Sequence, residues 1–137
     1  TQEKRARLEA LGARVWAYDA IGVRDVDVVV ETVGIDTWAS SLRALRWGGR
    51  LVCCGATSGA EVPLNLKALF FKQITLLGST MGSSADMVDA WRAVTDGAIQ
   101  PVLFAEAQLS KLGEAHSLLE RRAVVGKVVC RQDLADA

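Results

Sequence analysis

Cys53, Cys54, Cys130 and His116 are the side chains in this sequence best suited to ligating a metal or acting as nucleophiles, and their spacing supports neither role. Adjacent Cys53 and Cys54 point to opposite faces of a strand. No C-x-x-C occurs, and His116 has no partner at ligand spacing. An odd number of thiols suits a reducing compartment, so a cytoplasmic location is expected. The remaining chemistry is that of backbone groups in turns. In "LRWGGRLVCCGATSG", residues 45–59, an apolar run ends abruptly in small residues that either another stretch of backbone or a flat ligand can approach closely. Val33-Gly34, Gly55-Ala56-Thr57 and Gly78-Ser79-Thr80 are three such turns. Each alone reads as ordinary turn chemistry; the three together favour a ligand lying across strand ends. A branched side chain at Gly55 is then expected to harm ligand use more than folding.

The elements that position these turns alternate. A helix is predicted over Gln2–Leu11, stopped by Gly12, with Leu8 and Leu11 on one face. A short strand is predicted at Arg14–Tyr18. Val26–Thr32, interrupted only by Asp27 and Glu31, reads as a parallel strand buried on both faces. Asp36 can cap a helix whose apolar face is Trp38, Leu42 and Leu45, ended by Gly48-Gly49. The strand Leu51–Cys54 follows, then a short helix over Leu66–Lys72 and a strand over Ile74–Leu77. Ser83 and Asp86 form a capping-box pattern for a helix with a buried stripe of Met87, Trp91 and Val94, closed by Gly97. Pro101–Phe104 reads as extended, Ser110 as the cap of a helix to about residue 122, and Val124–Cys130 as the last strand. Strand–helix alternation at this spacing predicts a doubly wound parallel α/β domain, in which ligands bind at the carboxyl ends of the strands.

Composition excludes several function classes. Sixteen Lys and Arg balance sixteen Asp and Glu, so no basic excess points to nucleic acid or an anionic membrane. No apolar run approaches the ~20 residues that span a bilayer, and the polar start is not a signal peptide. With 137 residues the chain is long enough to bury a core.

Six segments, "QEKRARLEALGA", "VDVVVETVG", "LRWGGRLVCCGATSG", "ITLLGSTMGS", "DGAIQPV" and "GKVV", follow the order and spacing of the medium-chain dehydrogenase/reductase family, which the chain resembles over nearly its whole length. The likeness is greatest to the zinc-type alcohol dehydrogenase and quinone oxidoreductase branches. The resemblance implies NAD or NADP as cofactor and hydride transfer to or from an alcohol, an aldehyde or ketone, or a quinone. It places Lys4 by the adenosine ribose or a 2′-phosphate, which favours NADP. It places Thr32, Val33 and Gly34 along the adenosine half, and Cys54, Gly55 and Ala56 by the nicotinamide, with the Cys54 carbonyl accepting a carboxamide proton. Ser79, Thr80 and Met81 would hold the carboxamide from the other side, and Lys127 would reach the pyrophosphate.

The chain departs from that pattern in carrying no G-x-G-x-x-G. The expected architecture is thus an incomplete doubly wound, Rossmann-like parallel sheet lacking the first two strands and the glycine-rich phosphate turn. In the sheet order 3-2-1-4-5-6, Arg14–Tyr18 would be strand 3 and Val26–Thr32 strand 4, leaving Val28–Val30 on an uncovered edge. Residues 1–137 would form part of a nucleotide-binding domain, with about 101–137 returning toward a substrate domain that lies upstream with any zinc. No catalytic or metal-ligating residue is assigned in this chain. Its expected partners are a small-molecule substrate and further copies of the parent, not nucleic acid or membrane. The alternatives are a non-enzymatic α/β remnant or interaction module, and an enoyl reductase segment of a multidomain synthase.

Overall fold

The computed structural model describes residues 1–17 and 22–132. They fall in two units, one up to Met81 and one from Gly82 onward. In the first, helix α1 (Gln2–Ala10) begins at Thr1, whose hydroxyl accepts from the Lys4 N–H, and gives way to Gly12 at φ 88°. Strands β1 (Val26–Glu31), β2 (Leu45–Cys53) and β3 (Thr75–Gly78) form a parallel sheet in the order β1-β2-β3. Helix α2 (Ile35–Ala44) links β1 to β2, and α3 (Leu66–Phe71), capped by the Asn65 side chain, precedes β3.

The core of this unit is small. Trp38 from α2 packs with Leu45 and Leu51 from β2, and Val29, Leu42 and Ile74 lie against them. The Trp38 indole N–H donates to the Pro63 carbonyl at 3.0 Å, which seats the aromatic face inward without stranding its polar atom.

Several local expectations are corrected here. Arg14–Ala17 form no strand, and Tyr18 lies outside the described residues. β1 is not buried on both faces: it is an edge of the sheet, with Val28 52% and Val30 64% exposed. The uncovered edge expected at Val28–Val30 is therefore present. The cap of α2 is Gly34 rather than Asp36, which sits in the first turn. That helix stops at Ala44, before Gly48-Gly49, because Leu45 turns extended (ψ 137°). Lys72 fixes that exit from a distance: its ammonium donates to the Leu45 carbonyl at 2.9 Å, and its own carbonyl accepts from the Gly48 N–H at 2.8 Å. Gly48 and Gly49 instead absorb an irregularity in β2, where the register slips between Val26 and Val28.

The second unit holds α4 (Ser84–Thr95), β4 (Leu103–Gln108), α5 (Leu112–Glu120) and β5 (Lys127–Arg131), with β4 and β5 parallel. The Ser83–Asp86 capping box forms in both directions. The stripe expected to be buried is not: Met87 and Trp91 are exposed and Val94 is half-buried. Ser110 falls inside a short 3-10 turn, so α5 starts after Lys111. Gly126 takes φ 107° against the Val102 carbonyl, which delays the last strand to Lys127.

Candidate functional site

Parallel registration brings the three glycine-bearing turns to one end of the first sheet. Glu31 lies opposite Cys53, and Cys53 opposite Gly78, so the chain leaves all three strands at one level. The turns are tied together there. The Cys54 N–H donates to the Glu31 carbonyl at 3.0 Å, and the Ser79 N–H to the Cys53 carbonyl at 2.9 Å. Thr32, Cys54, Ala56, Ser79, Thr80 and Met81 are exposed along this row, Val33 and Gly55 are half-buried, and Gly34 is buried. The predicted positions from Thr32 to Met81 thus stand together. Lys4 and Lys127 are not part of the register that aligns them: Lys4 is half-buried in the first turn of α1, and Lys127 is the exposed first residue of β5.

At Gly55 the close approach is to backbone. A Cβ there would stand 2.7 Å from the Thr32 carbonyl oxygen. Gly34, at φ 101°, would drive a Cβ into the Gly59 carbonyl, and the two glycines pair as a parallel bridge. Ser58 completes the seam, its N–H and hydroxyl donating to the Val33 carbonyl at 2.7 and 2.9 Å. Around Gly78 the reverse holds: a Cβ would meet nothing within 4 Å. Gly34 and Gly55 therefore close the turns on each other, and the open space lies at Gly78, the end of β3.

The residue that organises the β1 end was read in the sequence only as an interruption of an apolar run. Glu31 is 2% exposed, and its carboxylate is fully engaged. Oε1 accepts from the Val33 N–H at 2.8 Å, the Gly34 N–H at 3.1 Å and the Thr37 hydroxyl at 2.8 Å; Oε2 accepts from the Ser41 hydroxyl. Burial pushes this carboxyl up, but the Ser41 hydroxyl, the Gly34 and Val33 amides and the Thr37 hydroxyl together hold it below the usual carboxylate value. The signal available in the sequence was Thr37 and Ser41, four apart on one helix face, six and ten residues beyond an acidic strand end.

In chemical terms the row offers backbone donors and acceptors on rigid strand ends, and small exposed side chains. It can orient a flat, elongated ligand with little loss of side-chain entropy. Among the described residues no group of three or more His, Cys, Asp and Glu could hold a metal, and no helix is long and apolar enough to cross a membrane.

The profile of the family described as zinc-binding dehydrogenase matches residues 1–96. A probable quinone oxidoreductase of Schizosaccharomyces pombe is 36% identical over 124 residues, covering 83% of this chain and 38% of that protein. A solved NAD-dependent alcohol dehydrogenase superposes with a TM-score of 0.79 at 33% identity, over 96% of this chain and 41% of its own. A crotonyl-CoA carboxylase/reductase solved in complex with NADP superposes with a TM-score of 0.68 at 27% identity, over 93% and 30%. The chain thus spans well under half the length of these relatives.

Proposed function

Since the chain belongs to the zinc-binding dehydrogenase family, we propose that it is the nicotinamide-dinucleotide-binding part of an oxidoreductase. The parent transfers hydride between NAD(H) or NADP(H) and an alcohol, an aldehyde or ketone, or a quinone. The observation that carries this reading is the in-register row of turns after Glu31, Cys53 and Gly78. Nicotinamide supplies the hydride chemistry when bound. This chain's share is to bind and orient. Thr32, Val33 and Gly34 border the adenosine half. The Cys54 carbonyl accepts a carboxamide proton beside Gly55 and Ala56, and backbone groups of Ser79, Thr80 and Met81 hold the carboxamide from its other side. The open space at Gly78 leaves room for the ring at the β3 end. Lys4 meets the adenosine ribose or a 2′-phosphate.

Residues from about 101 onward return toward a substrate domain, and the parent is a homo-oligomer. An enoyl reductase parent is the second reading, supported by the likeness to the crotonyl-CoA carboxylase/reductase. Saturation-transfer NMR on the chain with NADH, NADPH and ADP-ribose tests the binding role. Saturation is expected at the nicotinamide ring protons of both dinucleotides, with a weaker effect on ADP-ribose. Saturation confined to the adenine protons contradicts a nicotinamide site on these strand ends.

A further inference from the structure

The first turn of α2 lies at the cofactor edge, and a helix of this length carries partial positive charge at its N-terminus, where unpaired amides favour anions. Here the amides are already taken. Those of Val33 and Gly34 donate to Glu31 Oε1, that of Ile35 to the Gly59 carbonyl at 3.2 Å, and that of Asp36 to the Ser58 hydroxyl at 3.2 Å. The Thr37 and Trp38 amides donate to the Gly34 carbonyl. The buried Glu31 carboxylate is the anion that the Val33 and Gly34 amides face.

We propose that Glu31 is a built-in anion and a specificity-determining residue: it keeps phosphate groups off the Thr32–Gly34 turn, so that an uncharged part of the ligand crosses there. The inference deepens the nicotinamide-dinucleotide reading and rests on it for the identity of that ligand. The charge discrimination itself rests on this chain's own hydrogen bonds. Glu31 acts through the turn it fixes, without touching the ligand. Its negative charge opposes a second anion over the same amides, and the two hydroxyls of Thr37 and Ser41 hold the carboxylate in place.

The test is an amide-resolved NMR titration of the wild-type and Glu31→Gln chains with two probes, inorganic phosphate and neutral adenosine. Gln keeps an acceptor oxygen for the Val33 and Gly34 amides and removes the charge. In the wild type, adenosine is expected to shift the Val33 and Gly34 amides and phosphate to leave them unmoved. In Glu31→Gln, phosphate affinity at these amides is expected to rise at least threefold while adenosine affinity stays the same. A purely structural role would weaken both probes together, and that result overturns the proposal. Phosphate responses indistinguishable between the two chains also overturn it. Should Glu31→Gln not fold, the wild type alone decides, because phosphate shifts at Val33 and Gly34 equal to or larger than those of adenosine overturn it. Failure of the dinucleotide reading is seen separately, as an absence of nicotinamide saturation by NADH.

Discussion

Gly34, Gly55 and Gly78 mark the ends of three neighbouring parallel strands, yet their surroundings assign them different tasks. A methyl at Gly55 meets the Thr32 carbonyl oxygen, so Gly55→Ala is expected to cost ~1–3 kcal/mol, as overpacking against rigid backbone does. Gly34→Ala adds left-handed strain to a similar clash and costs more. Gly78→Ala meets open space and stays within ~0.5 kcal/mol of wild type. Urea melts of the three variants check this, and equal losses at all three contradict it. A side chain at Gly55 thus meets the Thr32 backbone whatever its effect on a ligand. The sequence displays a glycine beside small residues, but which backbone approaches it depends on Thr32, more than twenty residues away. Glu31 adds a pH dependence of known sign. Its folded carboxyl lies below its ordinary value of 4.5, so its contribution to stability is complete above that value and is lost as pH falls through the lower folded value. As pH falls below 4.5, wild type should lose unfolding free energy that Glu31→Gln does not lose, and parallel pH profiles contradict the assigned role.

Strand and helix identities were largely legible because period and caps are local. The Ser83–Asp86 box and the branched-apolar run of β1 lie in short windows, whereas the caps read at Asp36 and Ser110 are displaced by neighbouring turns. Burial was not legible, because it depends on partners remote in sequence. A run such as Val28-Val29-Val30 implies two covered faces, but Val28 and Val30 lie on an exposed face and, of the three, only Val29 packs on the core. The exit from α2 was misplaced for the same reason, since Lys72 bonds the Leu45 carbonyl across 27 positions. Of the site, the turns and their alignment were readable from alternation and small residues. The engagement of Glu31 was not, since it needs α2 folded against β1. The contrast between strands is measurable. Leu51, with 0% exposure, should cost ~2–5 kcal/mol as Leu51→Ala. Val30→Thr on the exposed edge should change stability by less than ~0.5 kcal/mol. Comparable losses in chemical denaturation contradict the three-stranded arrangement.

For the whole molecule, the central claim is that one end of the β1-β2-β3 sheet forms a nicotinamide-dinucleotide edge. The chain has no G-x-G-x-x-G, and hydrogen bonds to charged groups of the kind such a turn makes contribute ~1.5–3 kcal/mol each. Binding of NADH is therefore expected in the millimolar rather than the micromolar range. Titration of the isotope-labelled chain with NADH, followed amide by amide, tests the claim most directly. The account predicts shifts concentrated at Thr32–Gly34, Cys54–Ala56 and Ser79–Met81. Shifts at the opposite end of the same strands, around Val26, Arg50 and Thr75, would contradict it, as would a response absent from all three turns.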